Sequence, residues 1–108
     1  RRQAAPVALR RLKTVASVPP RERPAKLLEA LKGYIGDRFG RVTASLTADD
    51  CRDAVAQALD DDDLACRCRD LIAACEADRY APLAAEIGSA QVQQAMELIE
   101  AIEKRLRK

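Results

Sequence analysis

Apolar residues recur every three or four positions along most of this chain, and no segment alternates polar and apolar residues over the length of a strand. The broadest apolar face is predicted for a helix beginning at Pro24, and its members are Leu27, Leu28, Leu31, Tyr34, Ile35, Arg38 and Phe39. Aromatic residues make up only 3% of the sequence, so Leu, Ile, Val and Ala must build the core. We therefore predict an all-α domain, a small bundle of four to five helices with short loops.

Proline, glycine and capping residues mark where these helices begin and end. The proline pair at 19–20 is predicted to end an N-terminal helix, and Pro24 suits the first turn of the next helix. Gly40 is predicted to end that second helix in the left-handed conformation, and Thr47 with Asp50 resembles the capping box of a third. The remaining boundaries are placed at the acidic run 60–63, at a loop over 81–88 and at Ser89.

Two glycines, Gly33 and Gly36, interrupt the second helix. A glycine inside a helix weakens it by about 1 kcal/mol relative to alanine. We therefore expect a neighbouring backbone to approach the helix closely at these positions.

The net charge of +2 hides an uneven distribution. Residues 1–24 carry seven bases and one acid, whereas residues 25–108 carry twelve bases and sixteen acids. We place a boundary here, with 1–23 as a basic arm or linker that can be helical and 24–108 as the helical domain. The chain begins with Arg and has no signal-peptide pattern, so we expect a segment of a longer protein. We expect that segment to be soluble, because no apolar run approaches the roughly 20 residues of a spanning helix.

Three interpretations of the basic arm are open. It can be a solvated linker, a nucleic-acid contact or a juxtamembrane segment, since Lys and Arg accumulate within about 15–20 residues of a spanning helix on the cytoplasmic side. Nucleic acid is disfavoured, because no aromatic residues are interleaved with the arginines and the rest of the chain is acidic. A membrane helix ending just before Arg1 would account for both the arm and the abrupt start.

The sequence contains no histidine, which excludes His-based acid–base catalysis, His metal ligands and Ser-His-Asp triads. Glu100 and Glu103 lie beside Lys104 and are interpreted as solvated surface charge. The acidic run 60–63 lacks the spacing of a calcium loop and is interpreted as the start of a helix. We predict no catalytic residue, no metal and no cofactor.

Four cysteines are the remaining candidates for chemistry. Cys66 and Cys68 lie two positions apart, which on a helix places them roughly 200° apart, so one metal ion cannot bind both. Cys51, Cys68 and Cys75 fall on apolar faces and are interpreted as small buried hydrophobes. Cys66 is predicted to point outward between two arginines, and it is the one candidate for a redox-sensing thiol.

Four segments follow one another along the chain: LLEALKGYIGDRFG at 27–40, SLTADDCRDAV at 45–55, ACEADRYAP at 74–82 and AMELIEAIEKRL at 95–106. In this order they resemble the C-terminal cytoplasmic region of the BatD aerotolerance family, also called the oxygen-tolerance family. The matching positions are Tyr34, Arg38 and Gly40; Leu46, Thr47 and Asp50; and Arg79, Tyr80, Ala81 and Pro82. The order and spacing of the four segments carry the resemblance, because each segment alone has only the residues common at the start or end of a helix.

The resemblance implies a protein with extracytoplasmic β-rich domains, one transmembrane helix and this helical tail on the cytoplasmic face of the bacterial inner membrane. It implies protein partners, namely von Willebrand factor A domain proteins and a MoxR-type AAA+ ATPase, and it supplies no catalytic residue. We therefore expect a non-enzymatic protein-interaction domain in an assembly connected with stress or oxygen tolerance. Thiol redox sensing through Cys66 is the alternative.

One corner of the chain is predicted to bind a partner. Arg79, Tyr80 and Leu83 lie where the fourth helix ends and a loop follows, and Arg and Tyr are enriched among the residues that dominate interface energies. In the alternative interpretation, Tyr80 folds back over the end of its own helix and Arg79 caps the terminal carbonyls.

Overall fold

Five α-helices make up most of residues 4–19, 22–42, 45–80 and 89–106, which are the residues that this computed structural model describes. The helices are α1 (Ala4–Thr14), α2 (Arg23–Phe39), α3 (Ala48–Leu59), α4 (Asp62–Tyr80) and α5 (Ser89–Leu106), and a 3-10 turn at Val15–Ser17 follows α1. No strand occurs within these residues. The prediction of a small all-α bundle is confirmed.

Local sequence signals fix the end of α2 and the start of α3. Gly40 follows α2 with a φ of 68°, and the N–H of Arg41 donates to the carbonyl of Gly36 at 2.9 Å, which closes the helix in the predicted left-handed manner. The N–H of Asp50 donates to Oγ1 of Thr47 at 3.0 Å, and the N–H of Thr47 donates back to the Asp50 carboxylate at 3.1 Å. The predicted capping box is therefore confirmed.

The acidic run forms the turn between α3 and α4. Asp60 adopts the left-handed conformation with a φ of 51°, and the N–H of Leu64 donates to Oδ1 of Asp61 at 3.1 Å, so Asp61 caps α4. Arg105 of α5 reaches the same turn, where its Nη2 donates to the Leu59 carbonyl at 3.1 Å and its Nε lies 3.3 Å from Oδ2 of Asp61. The acids start a helix, as predicted, and a base from a distant helix holds them.

All five helices contribute to one core cluster, which consists mostly of Leu, Ile, Val, Ala and Cys. Tyr34 is the one fully buried aromatic residue among those described. α3 packs chiefly against α4, and α1 packs against α2 and α5. The radius of gyration of 12.9 Å agrees with the value of about 13 Å typical of a compact domain of this length.

The helix predicted within the basic arm is part of this core. Ala4, Ala8, Leu12 and Val15 are each at most 3% exposed, and we refer to them as the α1 stripe. We expected residues 1–23 to form an arm or linker distinct from the domain at 24–108. The packing of α1 against α2 and α5 corrects that expectation, because the core continues across residue 23 without a boundary.

On α3, Ala54 faces the core and Ala58 is exposed. The expectation that a backbone approaches α2 at its glycines is corrected at Gly33. Gly33 meets a side chain and not a backbone, since a Cβ added there would lie 2.7 Å from Nη1 of Arg11. The glycine therefore leaves room for the Arg11 guanidinium against α2.

Candidate functional site

The corner predicted to bind a partner lies at the C-terminal end of α4. Arg79 and Tyr80 are the last two residues of that helix, but their side chains lie outside the described part of the structure. Leu83 and the rest of the predicted loop 81–88 also lie outside the described residues. The structure favours neither interpretation of Tyr80, and the corner stays a prediction.

A groove of about 510 Å³ lies between α4 and α5. It is lined by Arg67, Asp70, Leu71 and Ala74 of α4 and by Gln91, Gln94, Glu97 and Leu98 of α5. Leu71 and Leu98 are buried and form an apolar floor, while charged and amide side chains surround it. An apolar floor surrounded by charged and amide side chains is the usual composition of a binding surface.

A second groove, of about 450 Å³, separates α1 from α5 and includes Glu103 in its lining. We interpreted Glu103 as solvated surface charge, and the structure corrects this. The Tyr34 hydroxyl donates to the Glu103 carboxylate at 2.5 Å, and Nε of Arg38 donates to the same oxygen at 2.9 Å. Glu103 therefore joins α5 to α2, and its carboxylate is already occupied by two donors.

Tyr34 stays protonated in this contact. Burial, together with the hydrogen bond to Glu103, holds the pKa of Tyr34 above its ordinary range. Tyr34 and Arg38 are two of the positions that carry the family resemblance, and Gly40, Thr47 and Asp50 are three more. All five serve helix packing or helix ends.

The four cysteines separate as predicted. Cys51, Cys68 and Cys75 are fully buried, whereas Cys66 is half-buried. Burial raises the pKa of Cys51 to about 11 and that of Cys68 to about 12, so both remain thiols at neutral pH and are poor nucleophiles. Within the described ranges, no group of three or more Cys, Asp and Glu side chains is placed to hold a metal ion.

The surroundings of Cys66 supply less positive charge than its sequence neighbours suggest. Arg69 is bound to Asp70, with Nη2 and Nε at 2.9 and 3.1 Å from one carboxylate oxygen. That hydrogen bond raises the pKa of Arg69 and compensates its charge. Arg67 is exposed and forms no ion pair with a described residue. One of the two flanking arginines is thus compensated by an acid, and the other has no acid partner among the described residues.

Surface bases are mostly paired in α2–α5 but not in α1. Ion pairs within 4.0 Å join acids to Lys26, Lys32, Arg38, Arg52, Arg69 and Arg105. Arg10, Arg11 and Lys13 of α1 are exposed, and none of them pairs with an acid among the described residues. We call these three residues the α1 basic face. No Asp or Glu occurs before Glu22, so α1 has no acid of its own to balance them.

These features define a class of protein, a small all-α domain whose described surface offers binding grooves. None of the described helices is both long enough and apolar enough to cross a membrane. No family model matches the chain, and neither a curated protein nor a solved structure matches it. The resemblance to the BatD family therefore remains a prediction from sequence.

Proposed function

We propose that this chain is a non-catalytic protein-interaction domain, the cytosolic tail of a single-pass, BatD-like membrane protein at the bacterial inner membrane. The interaction role is carried by one observation, the α4–α5 groove with its apolar floor and polar lining. The BatD-like assignment is supported by the four sequence segments and their order. Because this assignment rests on analogy with a family, its test is separate from the test of the groove.

The proposed partners are a von Willebrand factor A domain protein and a MoxR-type AAA+ ATPase, in an assembly connected with oxygen tolerance or stress. An apolar anchor from either partner would cover Leu71 and Leu98, and polar groups around it would meet Arg67 and Glu97. This division into apolar centre and polar rim is the usual anatomy of an interface between proteins.

Two neighbouring alanines of α4 provide a matched test. Ala73 and Ala74 are both exposed, but only Ala74 lines the groove. Ala74→Arg places a long charged side chain inside the groove, and Ala73→Arg makes the same change beside it. Titration calorimetry with each purified partner should show binding weakened at least about tenfold, or roughly 1.4 kcal/mol, by Ala74→Arg alone.

The two parts of the proposal fail in different ways. Equal weakening by Ala73→Arg would remove the groove from the interface. Absence of binding between the unmodified chain and both partners would contradict the BatD-like assembly. Thermal unfolding of both variants verifies that neither change acts through the stability of α4.

Thiol redox sensing is the second candidate, favoured by the half-buried position of Cys66 when the other three cysteines are fully buried. Peroxide would oxidise the Cys66 thiolate to a sulfenic acid, with the peroxide reduced to water. Mass spectrometry after mild peroxide treatment should then find oxidation at Cys66 and none at Cys51 or Cys68. Reversible oxidation that changes partner binding would replace the interaction-only function, and a Cys66→Ser variant is its control.

A further inference from the structure

α1 carries its bases on a ridge whose position is fixed by packing. The α1 stripe is buried in the core, so the opposite side of the helix faces outward. Pro6, Arg10 and Lys13 lie on that outward side at four- and three-residue spacing, and all three are exposed. Arg11 lies at the edge of the ridge nearest α2, over Gly33.

The bases of the α1 basic face form no ion pair inside the described structure. In α2–α5 six bases are held by acids, whereas the α1 basic face has no acid within 4.0 Å among the described residues. Like charges three positions apart on a helix repel one another. A cluster of this kind raises the local concentration of negatively charged partners, so an external anionic surface is the natural complement.

We propose that the α1 basic face binds the anionic lipid headgroups of a bilayer, so that the folded domain lies with α1 against the membrane. A bilayer offers diffuse negative charge and requires no pocket, which suits a convex ridge of regularly spaced bases. Exposed Pro6 and half-buried Val7 add apolar surface beside the bases. Apolar side chains of an interfacial helix contact the lipid just below the headgroups.

The same features disfavour other anionic partners. Interfaces with acidic proteins are dominated by aromatic and arginine anchors that fit pockets, and single-stranded nucleic acid is held by aromatic stacking. The first aromatic residue of the chain is Tyr34, which is buried in α2, so the ridge offers arginines but no aromatic anchor. Charge alone is left to carry recognition.

The expected binding is weak and reversible. Each base near an anionic membrane raises the partition coefficient about fivefold, so the three bases together should raise it roughly a hundredfold. This is enough to orient a domain that is already held near a bilayer, and it is less than stable anchoring requires. The inference deepens the membrane location in the proposed function, but it rests on different residues from the α4–α5 groove.

Vesicle sedimentation with the whole chain tests the inference. Phosphatidylcholine vesicles are compared with vesicles in which about one third of the lipid is phosphatidylglycerol, at low and high salt. The test variant is Arg10→Gln with Lys13→Gln, and the matched control is Arg41→Gln with Lys104→Gln. Arg41 and Lys104 are also exposed and without an ion pair among the described residues, so both variants lose the same charge.

The unmodified chain should bind the anionic vesicles, should release them as salt is added, and should not bind phosphatidylcholine alone. The test variant should lose about 25-fold in partition, and the control should lose little. Equal losses in both variants, or no binding of the unmodified chain at low salt, would overturn the inference. Tighter binding to polyglutamate or to duplex DNA than to anionic vesicles would also overturn it.

Circular dichroism of both variants verifies that the helical fold is retained. The outcome is distinguishable from that of the proposed function. Vesicle binding without partner binding would contradict the interaction domain alone, and partner binding without vesicle binding would contradict the lipid contact alone.

Discussion

The α1 basic face and the acidic α3–α4 turn are both short runs of like charge, yet the molecule uses them differently. In the turn, Asp61 caps α4 and is held by Arg105, which also donates to the carbonyl of Leu59, the last residue of α3. Asp62 and Asp63 lie in the first turn of α4, where the helix dipole favours acids. In α1 the bases have no comparable contacts with described residues.

The dipole of α1 accounts for part of the difference but not for all of it. Arg11 and Lys13 lie in the last turn of α1, where a cation gains typically 0.3–1 kcal/mol. Arg10 lies just before that turn, and among the described residues no acid or side-chain hydrogen bond fixes any of the three. A run of like charge therefore indicates a binding surface only where capping, ion pairs and the helix dipole do not account for it. The α1 basic face meets this condition, and the acidic turn does not.

The largest expected effect tests whether α1 is anchored at all. Leu12 is 1% exposed in the core, so Leu12→Ala should lower the free energy of unfolding by about 2–5 kcal/mol in urea titrations. Leu9→Ala, at a half-buried position of the same helix, should cost clearly less. If Leu12→Ala has no effect, α1 is a loose arm, and its bases cannot form a fixed ridge.

The next effect concerns ionisable groups that are buried and belong to neither charged region. Above about pH 9 the cysteines of the unfolded chain lose their protons, while native Cys51 and Cys68, with pKa values raised to about 11 and 12 by burial, keep theirs. The native state then binds more protons, so stability is unaffected below pH 9 and falls as pH rises. The slope is at most about 1.4 kcal/mol per pH unit for each thiol. Tyr34, with its raised pKa, adds to the fall above pH 10.

Urea titrations between neutral and alkaline pH measure this slope. Cys51→Ala should reduce it, and added salt should leave it nearly unchanged, because neither thiol is exposed to solvent. A slope that disappears in salt would mean that the charged surface runs, and not the buried thiols, control the pH response.

A smaller effect tests the structural use of the acidic turn. Asp61→Ala removes the cap of α4 and should cost about 1 kcal/mol in the free energy of unfolding. Asp61→Asn keeps a capping oxygen and loses only a half-exposed ion pair, so it should cost a few tenths of a kcal/mol. Exposed Asp63 is the control site, where alanine removes only the interaction with the helix dipole and should cost less than Asp61→Ala. If Asp61→Ala costs no more than Asp63→Ala, the turn does not use the Asp61 cap internally and resembles α1.

Strong local signals made much of the fold predictable from sequence. The leucine period of α2, the glycine at position 40 and the Thr47–Asp50 box each act within a few residues, so their geometry follows from the sequence around them. The α1 stripe was harder to predict from the sequence, because Ala4 and Ala8 contribute little to an apolar pattern. Their small size is nevertheless what allows α1 to pack closely against its neighbours.

Long-range partners were not predictable. Nothing local distinguishes Glu103 from Glu100, yet Glu103 binds Tyr34 across 69 positions of sequence, and Arg105 reaches Leu59 across 46. The α4–α5 groove likewise depends on how two helices pack. At the candidate sites only the properties of single residues were predictable. An example is the greater exposure of Cys66, on a helix that buries Cys68.

The smallest effect tests whether Arg11 has any internal role. A Cβ at Gly33 would lie 2.7 Å from Nη1 of Arg11, but that atom is the end of a long, exposed side chain that can move aside. Alanine also favours the helix by up to about 1 kcal/mol over glycine, so Gly33→Ala should stabilise the chain by a few tenths of a kcal/mol. The same gain is expected with Arg11→Gln in the background, because the shorter side chain also yields. Destabilisation by Gly33→Ala that Arg11→Gln relieves would show that the guanidinium is fixed against α2, and would place Arg11 with the internally used charges of the acidic turn.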